Sequence, residues 1–227
     1  MHLILHIGFH KTGTSSFQAF AQQNREELLQ AGILYPTTGL TELKTRSRQT
    51  AMAGHRRFEK LMSWPTTADN RALLSALETE ALQSRCKTVL LSSETFSNVS
   101  LRLSEKLPEI LARVFSSITV LVYVRRQTDW ASSFYREIIC WPRQTETRQF
   151  AEFYGEELGP WLDYETRLEK WGNLFGLQSL LVRSYDDRKH RDIVQDIMET
   201  IGFSVSAKTP QDFSNMSLPS HLVPLML

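Results

Sequence analysis

Short apolar runs alternate along this chain with longer stretches in which apolar residues return every three or four positions. The runs at 3–7, 33–35, 88–92, 118–124 and 177–183 are too short for helices and rich in Leu, Ile and Val, so they read as buried strands. The run at 118–124 is long and β-branched, as an interior strand should be. Between the runs, the 3.6-residue period predicts helices over 16–31, 69–84, 104–114, 129–141, 164–175 and 190–201. Gly32, Gly176 and Gly202 follow three of them as stop residues, and Asp69 and Ser104 stand where a cap opens a helix. Two stretches break the rhythm. Residues 37–68 are polar and irregular, with Lys44, Arg46, Arg48, Arg56 and Arg57 and one short helix at 55–62; residues 142–159 carry one short helix at 150–157.

Strand and helix in strict alternation predict an α/β fold: a three-layer α/β/α domain around a central, mostly parallel sheet of about five strands. The 227 residues suit a single domain over 1–227, with 37–68 and 142–159 as insertions. Hydrophobic residues make up 41% and charged ones 22%, enough for a full core and too apolar for disorder. A net charge of +1 speaks against a broad nucleic-acid footprint but leaves room for a local basic pocket. Cys86 and Cys140 have no metal or disulfide spacing and read as reduced thiols. No basic leader precedes Leu3 and no apolar run is long enough to span a membrane, so a cytoplasmic protein is expected. The apolar end, Val223-Pro224-Leu225-Met226-Leu227, suggests docking on the core, a homo-oligomer contact or an incomplete chain.

The candidate chemistry begins where the first strand ends. Gly8-Phe9-His10-Lys11-Thr12-Gly13-Thr14-Ser15-Ser16 is a glycine loop running from a strand into a helix. Such a loop converges backbone N–H groups on the positive end of the helix and holds a phosphate. Gly8 and Gly13 keep the spacing of a nucleotide-triphosphate loop, but Thr14 stands where its lysine belongs, and the lysine has moved back to Lys11. This loop resembles the 5′-phosphosulfate loop of sulfotransferases that use 3′-phosphoadenosine-5′-phosphosulfate (PAPS), which have a P-loop nucleoside-triphosphate-hydrolase-like fold.

Ligands in parallel sheets bind beyond the carboxyl ends of the strands. Besides Lys11, those ends carry Glu94, Arg125 and Tyr185. Val122-Tyr123-Val124-Arg125-Arg126 through Ser132-Ser133-Phe134-Tyr135 resembles the 3′-phosphate motif of the same family, with Ser133 eight residues after Arg125. Tyr185-Asp186-Asp187 is similar to the segment that lays a tyrosine against adenine. Arg126 reads as a solvated arginine, and the expected C-terminal basic motif with glycine is missing; Asn215 and Ser217 stand in its region. His6 and His10 share no helix face, and no metal site is expected.

The resemblance, closest in style to bacterial members, implies an enzyme that moves a sulfuryl group from PAPS to a hydroxyl or amine by in-line displacement, without a metal. It places His10, Lys11, Thr12, Gly13, Thr14, Ser15, Ser16, Arg125, Ser133 and Tyr185 on the nucleotide. Lys11 is the catalytic cation, and the general base is Glu94 or, as a rival in the variable segment, His55. The acceptor is a small molecule or a glycan, its pocket shaped by 37–68 and 142–159. Two alternatives stay open: an ATP- and magnesium-dependent small-molecule kinase of similar fold, and a nucleotide-binding module without catalysis.

Overall fold

A computed structural model describes residues 1–44, 50–52, 54–139, 146–188 and 192–203. The last residues of the chain, with Asn215, Ser217 and the apolar end, lie outside them, as do Arg46, Arg48, Cys140 and His190.

Five strands form one parallel sheet: β1 (His2–His6), β2 (Ile33–Leu34), β5 (Thr88–Ser92), β6 (Ser117–Val124) and β7 (Leu180–Ser184), in the spatial order β2-β5-β1-β6-β7. The strand over 118–124 is therefore interior, but β1 is the middle strand. Its five residues pair on one side with Thr88 to Ser92 and on the other with Ser117 to Leu121. Leu3, Leu5, Val120, Leu121 and Val122 have no exposed surface, which is why these runs carry no polar alternation. β7 is an edge strand and is partly exposed, with Val182 and Arg183 the open positions; Leu177–Ser179 coils into a short 3₁₀ turn before the strand begins.

Helices cover both faces. The first predicted helix is two, α1 (Thr14–Gln23) and α2 (Arg25–Gln30), broken at Asn24, whose side chain turns back to donate to the Phe20 carbonyl at 2.8 Å. With α10 (Ile193–Thr200), α1 packs Phe17, Phe20, Ile193 and Ile197 against one face of the sheet. The other face takes α3 (Phe58–Ser63), α4 (Ala68–Ser84), α5 (Leu107–Ala112) and α9 (Tyr164–Phe175), through Phe58, Leu61, Leu77, Leu107, Leu111 and Trp171. A third cluster joins α6 (Gln127–Ile139), α7 (Phe150–Glu157) and α8 (Gly159–Leu162) around Trp130, Tyr135, Phe153 and Leu158.

Two caps differ from expectation. Thr67, not Asp69, caps α4: its hydroxyl accepts from the Asn70 N–H at 3.4 Å, and Asp69 lies inside the first turn. Ser104 closes the turn before α5 rather than opening the helix, accepting from the Leu107 and Lys106 N–H groups. Within 37–68, β3 (Glu42–Lys44) and β4 (Thr50–Met52) pair as an antiparallel ribbon where the sequence reads as irregular. Among the described residues no helix is long and apolar enough to cross a membrane.

Candidate active site at the carboxyl edge of the sheet

β1 is followed by a chain that leaves toward β2, on one side, while β6 is followed by a chain that leads to β7, on the other. The loops after these two neighbours therefore diverge and open a crevice between them. The glycine loop forms one wall and Arg125 the other.

Loop conformation follows from local chemistry. Lys11 has φ +64° and Gly13 φ +78°, so the backbone turns left-handed twice within three residues. Gly13 also has Ile193 of α10 against it, where a Cβ would come within 2.9 Å; both reasons call for glycine. At Gly8 a Cβ would collide with the Thr14 side chain, so the loop folds down on its own helix only because Gly8 has none. The Thr12 hydroxyl donates to the Phe9 carbonyl at 2.5 Å and Ser97 donates to the Gly8 carbonyl at 2.9 Å, which fix the loop from inside and from the neighbouring strand end. Gly13 offers α1 no side-chain cap, and the first turn has no acid. The free N–H groups and the positive helix end thus face outward, uncompensated.

α6 supports the loop from the other side. Trp130, Ser133, Phe134 and Glu137 recur at helical spacing and share one face. The Trp130 indole N–H donates to the His10 carbonyl at 2.6 Å, Phe134 packs 6.2 Å from the His10 ring, and Glu137 lies 3.5 Å from the Lys11 ammonium. Ser133 is buried on this same face.

Arg125 reaches the loop directly. Its Nη1 donates to the Lys11 carbonyl at 3.4 Å, its Nε lies 3.7 Å from Asp186 Oδ1, and its guanidinium sits 5.3 Å from the centre of the Tyr185 ring. Arg126 is 72% exposed, and its backbone N–H donates to Asp186 at 2.6 Å. Glu94 opens a 3₁₀ turn, Glu94–Ser97, at the end of β5; its carboxylate lies 3.5 Å from His10 Nδ1 and is 39% exposed. Three buried polar atoms around the crevice have no hydrogen-bond partner: His10 Nε2, Thr14 Oγ1 and Arg125 Nε. In a packed interior such atoms are costly, and each is free to bond an acceptor or donor that a ligand supplies. No group of three or more His, Cys, Asp or Glu is placed to hold a metal among the described residues.

The fold thus brings His10, Lys11, Gly13, Thr14, Ser15, Ser16, Glu94, Arg125, Ser133 and Tyr185 to one edge. Two expectations need correcting. Thr12 is fully buried and its hydroxyl is committed to Phe9, so only its backbone can meet a ligand. His55 is not placed to act as a base. Its ring is fully buried; Nδ1 accepts from the Ser92 N–H at 3.1 Å and Nε2 donates to the Pro36 carbonyl at 3.0 Å. Burial pushes its pKa down to about 4, against a smaller upward pull from those two backbone bonds. β2 pairs with β5 only through Ile33 and Leu34, and His55, whose N–H also donates to the Ser92 carbonyl, completes the edge that β2 leaves bare.

Sequence reading missed Glu137, Trp130 and Arg167. The first two carry a signal, their 3.6-residue spacing with Ser133. Arg167 carries none: it is a buried cation on α9 that lies 3.8 Å over the Phe9 ring and donates to the Ser97 and Trp161 carbonyls. Burial lowers its pKa to about 10, so it stays charged at neutral pH.

No family model matches the chain. An uncharacterized protein of Archaeoglobus fulgidus is 28% identical over 142 residues, which make up 61% of this chain and 37% of the relative; the match thus spans little more than a third of that protein's length. Among solved structures, retinol dehydratase in complex with androsterone and inactive cofactor PAP aligns at 14% identity over 90% of this chain and 60% of its own, with a TM-score of 0.40. A sulfotransferase from Alicyclobacillus acidocaldarius aligns at 16% identity over 96% of this chain and 87% of its own, with a TM-score of 0.52. The five-stranded parallel sheet with its glycine loop is thus the P-loop-like fold of that sulfotransferase.

Proposed function

We propose that this chain is a PAPS-dependent sulfotransferase acting on a hydroxyl or amine acceptor. The observation that carries the reading is Arg125 held against the glycine loop at 3.4 Å, with His10 Nε2, Thr14 Oγ1 and Arg125 Nε left without a hydrogen-bond partner around them. A donor with two separated anionic groups suits such a crevice, and ATP lacks the 3′-phosphate that an arginine on the far wall would read.

The roles follow from position. The loop N–H groups, the α1 N-terminus and the Ser15 and Ser16 hydroxyls hold the 5′-phosphate. Arg125 and Ser133 take the 3′-phosphate, and Tyr185 lies beside the adenine. The sulfuryl group carries less charge than a phosphoryl group, and one lysine with hydrogen bonds suffices to manage it. Glu94 removes the proton from the acceptor hydroxyl as its oxygen bonds to sulfur, a contribution of about 10²–10⁴-fold. Lys11 neutralises the charge that appears on the bridging oxygen as the bond from sulfur to that oxygen breaks and adenosine 3′,5′-bisphosphate leaves.

Thermal shift with two nucleotides tests the assignment. Adenosine 3′,5′-bisphosphate without metal should raise the melting temperature; at a hundredfold excess over Kd the stabilisation is about 2.7 kcal/mol. Stabilisation by ATP with Mg²⁺ alone overturns the reading in favour of a kinase. Glu94→Gln should keep the bisphosphate shift and lose turnover, and Lys11→Ala should lower turnover further than binding.

A further inference from the structure

A second concavity lies beside the sheet, outside the crevice. It is a groove of about 1060 Å³ between the segment 37–41, α3 and the first turns of α4. Arg56, Arg57 and Lys60 line it, are exposed, and form no ion pair among the described residues. At its mouth stands Trp64, 62% exposed. Glu59 and Asp69 complete the charged part of the lining.

Trp64 is an unusual residue to leave in water, and it is not on a loose loop. Its N–H donates to the Lys60 carbonyl at 2.8 Å, and its carbonyl accepts from Asn70 Nδ2 at 2.8 Å and from the Thr67 N–H at 3.3 Å. The turn between α3 and α4 is therefore pinned by the capping of α4, and the indole is presented on a fixed backbone. An exposed, positioned indole offers a flat apolar face at little conformational cost, suited to the C–H face of a sugar ring. Guanidinium forks beside it match carboxylates two bonds at a time. The two acids among the cations decide between polyanions. They accept from sugar hydroxyls, and they repel a continuous phosphate backbone.

We infer that this groove binds an acidic oligosaccharide whose carboxylates are spaced along the chain, as in a uronic-acid polymer. One segment of chain runs from the crevice to the groove. Ser100 and Leu101 lie in its lining, and the same stretch begins at Glu94, where Asn98 and Leu101 donate back along it to hold its shape. The oligosaccharide is then the acceptor, or the arm by which the acceptor is held; this last step rests on the transferase reading, whereas binding in the groove does not.

The test uses the whole chain and a hexasaccharide of alternating glucuronic acid and N-acetylglucosamine, titrated calorimetrically. Its carboxyl-reduced, neutral counterpart and a single-stranded oligonucleotide of equal charge are titrated beside it. The acidic hexasaccharide should bind, more weakly as salt rises, and the neutral one at least about tenfold more weakly, the worth of one charged pair. Trp64→Ala should weaken binding by about tenfold, the upper range for a lost aromatic contact. The triple variant Arg56→Ala, Arg57→Ala, Lys60→Ala should abolish it. In both variants the shift with adenosine 3′,5′-bisphosphate should match the unaltered protein, which shows that they fold. Equal binding of the neutral sugar, equal or tighter binding of the oligonucleotide, unaltered affinity in the variants, or no binding of the acidic sugar overturns the inference. Sugar binding with no response to the bisphosphate would instead keep the groove and remove the transferase.

Discussion

His6 and His55 are imidazoles that the fold keeps neutral. Both are fully buried, and burial lowers each pKa to about 4. In the unfolded chain each titrates near 6.5. Between those values the unfolded chain takes up protons that the folded one refuses, so stability falls as pH drops through that window, by up to about 3 kcal/mol for each ring. Urea midpoints measured from pH 7 to pH 4.5 should decline steadily; a flat profile would mean that neither ring is sealed off. Lys11 shows the opposite economy. Its ammonium rests 3.5 Å from Glu137, which is 49% exposed, so the pair is weak and can be traded for a ligand. Glu137→Gln should tighten adenosine 3′,5′-bisphosphate by about fivefold at most, the equivalent of an exposed ion pair of about 1 kcal/mol. Weaker binding in that variant would show that Glu137 orients Lys11 rather than competing for it.

The element that governs the loop is α6. Its inner face reads Trp130, Ser133, Phe134, Glu137, and three of these touch the loop directly. Trp130 stacks 4.8 Å from Phe134 while its N–H holds the His10 carbonyl, so one side chain both packs the helix and fixes the turn next to Lys11. Trp130→Phe keeps the ring packing and removes the donor. The expected cost is about 1–2 kcal/mol in a urea titration, with weaker bisphosphate binding in the same protein. A stability loss with unchanged nucleotide affinity would separate the helix from the site. α6 was legible as an amphipathic stretch in the sequence, and Ser133 with it. That this face grips a loop more than a hundred residues earlier, through Trp130, Phe134 and Glu137, was not.

At the scale of the whole molecule, the sheet order decides what meets. β1 lies between β5 and β6, so the residues after all three reach the same edge: Lys11, Glu94 and Arg125. Arg167 then ties the outlying layers to it. From α9 it bonds the Ser97 carbonyl at the end of the Glu94 turn and the Trp161 carbonyl of α8, with its guanidinium over Phe9 of the loop. Arg167→Met should cost about 3 kcal/mol, because buried carbonyls lose their donor, and should lower turnover by loosening the Glu94 turn. A variant as stable as the parent protein would show that water replaces the guanidinium.

Local pattern was sufficient for the five strands of the main sheet, most of the helices and the glycine loop, since each depends on the period of apolar residues and on backbone geometry a few residues long; the β3–β4 ribbon escaped it. It was sufficient also to put the candidates at the strand ends on one edge, because the strands run parallel; that Lys11, Glu94 and Arg125 are neighbours there depends on the order. The order itself, the burial of His55 as the finishing piece of a sheet edge, the inward turn of the Thr12 hydroxyl, the pairing of Lys11 with Glu137 and the place of Arg167 needed the folded chain. Each is a contact between groups that no periodicity links, chosen by which surfaces are left uncovered once the layers have packed.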